Sequence, residues 1–156
     1  MVKFLRLYSL FWLPFVLAFT LDRLMKFLTL NGLRYQSEFL DLTFVLNTGV
    51  AFSLLSFLDN SLKYLNLVFI LVLFLYLFWQ KVFLQEHKVA FGLMLGAGSS
   101  NLLDRFLYGG VVDMFFWHKW FEFAIFNVAD VLINMSVVLL LVQEFCRKKK
   151  NDRIDK

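Results

Sequence analysis

Four long apolar runs, at about 7–28, 62–79, 89–107 and 123–145, dictate what this chain can become. Each approaches the roughly 20 residues that a helix needs to cross the hydrocarbon core of a bilayer. Of the 156 residues, 60% are hydrophobic and 21 are Phe, which is more apolar surface than a soluble domain of this size can hide. The stretches between the runs are too short for a separate soluble domain. The chain therefore reads as one integral membrane domain over 1–156, an all-α polytopic protein with four transmembrane helices. Pro14 falls in the first run, where a spanning helix tolerates a mild kink.

Charge placement orients those helices. The formal net charge is +4, and the basic residues gather at Lys3 and Arg6, at Lys81 and Lys88, and in a terminal cluster from Arg147 to Lys156. This is the positive-inside pattern, with the tail placed to touch anionic membrane lipids, and it needs no nucleic-acid partner. Both termini and the 80–88 connection fall in the cytoplasm. The outer face then holds the end of the first run, the 29–61 connection, the end of the third run and the start of the fourth. A cleaved signal peptide is the competing reading of the basic N-terminus. It lacks a small-residue cleavage site, and Asp22-Arg23-Leu24-Met25-Lys26 reads as continuing helix. The single cysteine, Cys146, excludes an internal disulfide, and His87 and His118 are too far apart in sequence to suggest a zinc site. No metal and no cofactor is expected.

On this topology the acidic residues at the edges of the apolar runs share one end of the membrane: Asp22, Asp104, Asp113 and Asp130. A carboxylate at mid-bilayer costs about 2.5–3.5 kcal/mol, so such residues are functional candidates. Asp113 follows Gly109-Gly110-Val111-Val112, which reads as a flexible turn out of the third helix. Asp130 lies about one turn into the fourth, where the helix N-terminus favours a carboxylate. Two adjacent carboxyls share a proton, so that one activates a water while the other hydrogen-bonds the carbonyl under attack. The competing reading has both Asp capping helix ends or pairing with an Arg. Asn127 and Asn134 flank Asp130 at helical spacing: Asn127 is close enough to orient the dyad, and Asn134 is expected to pack. Arg105 is the cation placed to bond a substrate carbonyl. Asp104 is expected to be its structural partner or a helix-end anchor, and Asp22 with Lys26 a structural ion pair on one helix face. Phe115 to Phe121 reads as an interfacial aromatic belt. In the 29–61 connection, Phe39 to Leu46 is β-prone and Asn47-Thr48-Gly49 is turn-forming. A strand–turn–strand element over about 33–58 is expected on the outer surface, with part of 50–60 open to a surface-helix reading.

These residues fall into four blocks whose order resembles the lipoprotein signal peptidases, the type II bacterial signal peptidases. Asp22 to Lys26 matches Asp-x-x-x-Lys. Asn47-Thr48-Gly49-Val50-Ala51-Phe52-Ser53 is close to Asn-x-Gly-x-Ala-Phe-Ser. Asn101 to Arg105 with Gly110 to Asp113 matches Asn-x-x-Asp-Arg…Gly-x-Val-x-Asp, and Phe126 to Asp130 matches Phe-Asn-x-Ala-Asp. The resemblance implies an aspartyl endopeptidase of the bacterial inner membrane with its site facing the periplasm. Asp113 and Asp130 would be its catalytic dyad, with Asn47, Arg105 and Asn127 holding the substrate and Asn101 in support. It implies four transmembrane helices with a small extracytoplasmic β-cradle and a surface helix. The implied substrates are diacylated prolipoproteins, cut just before the lipid-modified cysteine, and the implied inhibitors are peptides such as globomycin. Ser100, Met114, Met135 and Ser136 depart from the family's usual residues without touching the dyad. The alternatives are a proton- or cation-coupled transporter using the Asp cluster, and a non-catalytic membrane scaffold. Transporters place such groups near the midplane between repeats, and this chain has neither repeats nor midplane acids.

Overall fold

A computed structural model of the protein describes residues 2–49 and 61–154. Four helices and two strands follow one another as α1 (Val2–Leu30), β1 (Leu40–Asn47), α2 (Ser61–Trp79), α3 (Lys81–Tyr108), β2 (Val111–Trp117) and α4 (Val128–Ile154). Among the described residues, α2 and the Val128–Lys150 part of α4 are long and apolar enough to cross a membrane. The helices α1 and α3 carry the internal charges, and each buries them against the other. The proposed surface helix within 50–60 lies outside the described residues.

Helix α3 is the centre of the bundle, packed against α1, α2 and α4. Its closest neighbour is α1, and glycines make that approach possible. A Cβ on Gly92 would lie 2.4 Å from the Phe11 carbonyl oxygen, and one on Gly96 would lie 2.2 Å from that of Phe15. Where no water drives helices together, small residues at this i, i+4 spacing let the backbones meet and gain dispersion contacts. Phe11, Leu77, Leu84, Phe91 and Leu95 fill one end of the bundle. Towards the other end the contacts narrow to Ala18, Ala97 and Ala129, one each from α1, α3 and α4. Small side chains there leave room for the polar groups described below.

Local chemistry sets the element ends. Helix α1 stops where Gly32 takes φ 92°, and the Leu33 amide bonds back to the Leu28 carbonyl at 3.0 Å. Helix α3 stops at Gly109 with φ 75°, and both positive φ values favour glycine. The 80–88 stretch, expected as a connection, is instead the start of α3, which opens two residues after α2 ends. The irregularity falls at His87, whose backbone is non-helical. Its ring is buried and bonded to Gln143 at 2.7 Å and Glu144 at 2.8 Å, so side-chain contacts with α4 hold the kink.

Of the expected strand–turn–strand element over about 33–58, the first strand is present as β1, and the remainder from 50 on lies outside the described residues. The strand β1 pairs antiparallel with β2, from Leu40 opposite Trp117 to Asn47 opposite Val111, with a register shift between Leu42 and Val45. Asp113 therefore sits on a strand, and Val111 and Val112, expected as part of a flexible turn before it, belong to that strand. Part of the aromatic stretch expected as a membrane belt is this same strand. The fourth helix begins at Val128 and not at 123, because Phe126 forms a β-bridge with Phe115. That bridge extends the backbone up to the residue before the helix.

Candidate active site

The C-terminal ends of α1 and α3, the N-terminal end of α4 and the paired strands bring the four Asp residues together in two sets. The first set is charged. The Lys26 ammonium lies 2.7 Å from Asp22 and 2.7 Å from Asp104, with all three side chains fully buried. Arg23 adds a second cation to Asp104. Asp22 also accepts bonds from the Ser100 hydroxyl at 2.6 Å and the Ala129 amide at 2.8 Å, and Asp104 accepts one from the Val112 amide at 3.1 Å. These contacts tie α1 to α3, α4 and β2 at once. Asp104 thus pairs with Arg23 and Lys26 and, among the described residues, forms no ion pair with Arg105; of its two expected roles the geometry fits the helix-end anchor, through the Val112 amide. Being buried, an unpaired carboxylate at either position would cost several kcal/mol, so two cations from α1 must accompany the two acids.

The second set is held by neutral groups. Asn127 sits just before α4 as its N-cap. Its Oδ1 accepts from the Asp130 amide at 2.9 Å, while its own amide donates to Asp130 Oδ2 at 3.1 Å. This is a reciprocal capping box with Asp at the third helical position. The second oxygen of Asp130 accepts from Asn101 Nδ2 at 3.2 Å. Asp113 accepts from Asn127 Nδ2 at 2.6 Å and Asn47 Nδ2 at 3.0 Å. Among the described residues, no cation forms an ion pair with either acid.

Asn101 joins the two sets. Its Oδ1 accepts from Lys26 at 2.6 Å and from Asn127 at 3.2 Å, which forces its NH2 towards Asp130. Burial pushes the Asp113 carboxyl up from the ordinary 3.8 to about 6. The hydrogen bond from Asn47 opposes this rise, and the neighbouring charge of Asp130 adds to it.

Both acids face one cavity of about 710 Å³, which Asn47, Asn101 and Arg105 also line. Arg105 is buried and donates to the Gly49 carbonyl. The cavity wall is otherwise mostly apolar, including Phe69, Leu73, Leu102 and Ile133. Every expected site residue except Asp22, Lys26 and Asp104 borders this space or bonds an acid that does. Those three form the support behind it. Arg23 and Ser100 were not expected as members. Charge balance was the available signal for Arg23, since two buried acids on one face require two cations.

A water bound between such acids is activated by one and presented to a carbonyl polarised by the other, the arrangement of acid–base peptide hydrolysis. The comparisons with known proteins agree. A model of the family described as signal peptidase (SPase) II matches residues 14–146. The lipoprotein signal peptidase of Campylobacter jejuni subsp. jejuni serotype O:23/36 (strain 81-176) is 67% identical over 156 residues, covering 99% of this chain and 100% of that one. That of Helicobacter pylori (strain Shi470) is 48% identical over 145 residues, covering 93% and 92%. A bacterial membrane enzyme solved by the in meso method at 2.3 Å superposes with a TM-score of 0.75 at 25% identity, covering 89% of this chain and 88% of that one. None of these likenesses favours a transporter. With the family model spanning most of the sequence, this chain belongs to the signal peptidase II family of proteases.

Proposed function

We propose that Asp113 and Asp130 are the catalytic dyad with which this peptidase removes signal peptides from prolipoproteins, cutting just before the diacylglyceryl-modified cysteine. One observation carries the assignment: two acids held by amides rather than cations open onto a single cavity. Asp113, with its raised affinity for a proton, donates a hydrogen bond to the scissile carbonyl. Asp130, at the positive end of α4, is the base. It takes a proton from water as the water oxygen adds to the carbonyl carbon. It returns that proton to the cysteine nitrogen as the C–N bond breaks, leaving a carboxyl on the signal peptide and a free amine on the lipidated cysteine. Asn47, Asn127 and Arg105 hold the substrate backbone, and Asn101 keeps Asp130 in register. No metal takes part in this scheme.

The same proposal makes α1 to α4 four transmembrane spans of one domain in the bacterial inner membrane. Both termini are cytoplasmic and the dyad lies at the periplasmic boundary, where a lipid-anchored substrate presents its cleavage site. The basic residues near both termini support that orientation. Membrane lipids surround the bundle, and globomycin-like peptides inhibit by filling the cavity.

Purified protein in detergent with a diacylated prolipoprotein tests the assignment. Wild type is expected to cut before the lipidated cysteine with or without a chelator, while Asp113→Asn and Asp130→Asn, both folded, do not. Cleavage by both variants at the wild-type rate overturns the dyad. No cleavage by wild type in lipid-like conditions overturns the activity.

A further inference from the structure

The cavity holds two amides that the chemistry above leaves unused. Asn66 on α2 and Asn134 on α4 both line it, and among the described residues neither hydrogen-bonds to another protein group. The sequence reading expected Asn134 to pack, yet its side chain is exposed to the cavity side of α4. Helices α2 and α4 each pack on α3 but scarcely touch one another, so the cavity is bordered there by a seam. Around the amides the wall is Phe69, Leu73 and Ile133. Two amides open to the cavity in an otherwise apolar seam fit a ligand that is mostly hydrocarbon and carries a few hydrogen-bond acceptors.

Depth identifies those acceptors. Asn134 is four residues beyond Asp130, about 6 Å further along the helix axis. Asn66 on α2 borders the same cavity from the opposite side of the seam. We infer that the Asn66 and Asn134 amides bind the ester carbonyls of the substrate's diacylglyceryl group. The inference rests on the proposed function and extends it to the lipid half of the substrate. With the peptide bond at the dyad, the thioether-linked glyceryl group points down the seam and its ester oxygens arrive about one helical turn below. Each Asn Nδ2 donates to an ester carbonyl, and the acyl chains lie along Phe69, Leu73 and Ile133. An acyl-like chain without ester carbonyls would cover both amides and leave them unpaired, so the seam selects the diester over a chain that lacks those carbonyls.

The full-length protein is tested with two prolipoprotein peptides that differ only at the glyceryl group, one a diacyl ester and the other a dialkyl ether without carbonyls. Wild type is expected to show a KM about tenfold lower for the ester, the worth of one to two net hydrogen bonds. The double variant Asn66→Leu with Asn134→Leu is expected to bring the two KM values within about twofold by raising that of the ester, with kcat for the ester little changed. Asn134→Gln alone, which keeps an amide, is expected to retain a preference. A double variant that still prefers the ester about tenfold overturns the inference while leaving the peptidase reading intact, as does a wild type indifferent to the esters. A wild type that cuts neither peptide overturns both.

Discussion

Two pairs of Asp residues occupy one end of this bundle, and what faces them separates their roles. Asp22 and Asp104 are locked by Lys26 and Arg23, with backbone amides and Ser100 completing their shells. Asp113 and Asp130 are held by Asn47, Asn101 and Asn127, and both face the cavity. Asp22 and Asp104 have their oxygens taken up by buried cations, a hydroxyl and backbone amides, and neither borders the cavity. A carboxylate held by neutral amides keeps its geometry and can still take or give a proton. On the proposed assignment, the charged set is the support behind the dyad.

The largest expected effect breaks the neutral set. Asp113→Asn is expected to lower kcat/KM by roughly 10²–10⁴-fold. Its effect on stability is expected to be small and to depend on pH in a stated direction. Burial raises the Asp113 carboxyl from 3.8 to about 6, so the folded wild type holds a proton that the unfolded chain releases between those values. Wild-type stability is therefore greatest below about pH 4 with respect to this group, and falls as pH rises through about 6. The Asn variant lacks that fall. Melting curves at pH 4 and pH 8 beside cleavage rates check it. A variant that melts far below wild type at both pH values would place Asp113 with the structural pair.

Breaking the charged set is expected to act through stability. Lys26→Met leaves Asp22 without its cation and Asp104 with only Arg23, whose side chain is 20% exposed. A loss of about 3–5 kcal/mol is expected from an uncompensated buried charge, read as a lowered unfolding midpoint in detergent. Activity should fail with the fold, because Asn101 loses the bond that aims its NH2 at Asp130. Full stability without Lys26 would mean that the charged set is not a support.

A finer test moves one ionisation without removing it. The Asn47 bond favours the charged form of Asp113, so Asn47→Ala is expected to push that ionisation above about 6. If the protonated form of Asp113 is the catalytic one, the alkaline limb of kcat/KM moves to higher pH, by less than about one pH unit. Movement to lower pH would reverse the acid and base roles given to Asp113 and Asp130.

The helices and the gathering of acids at one end were legible in sequence, because apolar length and basic flanks act locally. The Asn127-x-x-Asp130 cap was not, because the apolar 123–126 stretch put the expected helix start ahead of it. The pairing of β1 with β2 was not, since its partners are some 70 residues apart and nothing local marks them. The start of α4 was misplaced by five residues because Phe123 to Phe126 is as apolar as a helix, yet a bridge to Phe115 holds it extended. Assigning Asp104 to Arg105 followed sequence adjacency. In a helix, neighbours i and i+1 point in different directions, and the cations that reach Asp104 come from α1.

Ser100 gives the smallest and sharpest test of the contrast, because it belongs to the charged set but carries no charge. Its hydroxyl donates to Asp22 Oδ2 at 2.6 Å in a fully buried setting. In Ser100→Gly, Asp22 keeps Lys26 and the Ala129 amide, so no buried charge is left alone. The expected cost is one net hydrogen bond to a charged group plus the helix penalty of glycine, about 2–3 kcal/mol together. Ser100→Ala isolates the first part at about 1.5–2 kcal/mol, with kcat/KM unchanged in both because neither dyad acid touches Ser100. A drop in kcat with stability retained would mean that the charged set tunes the dyad as well as supporting it, and the division between the two pairs would fail at this residue.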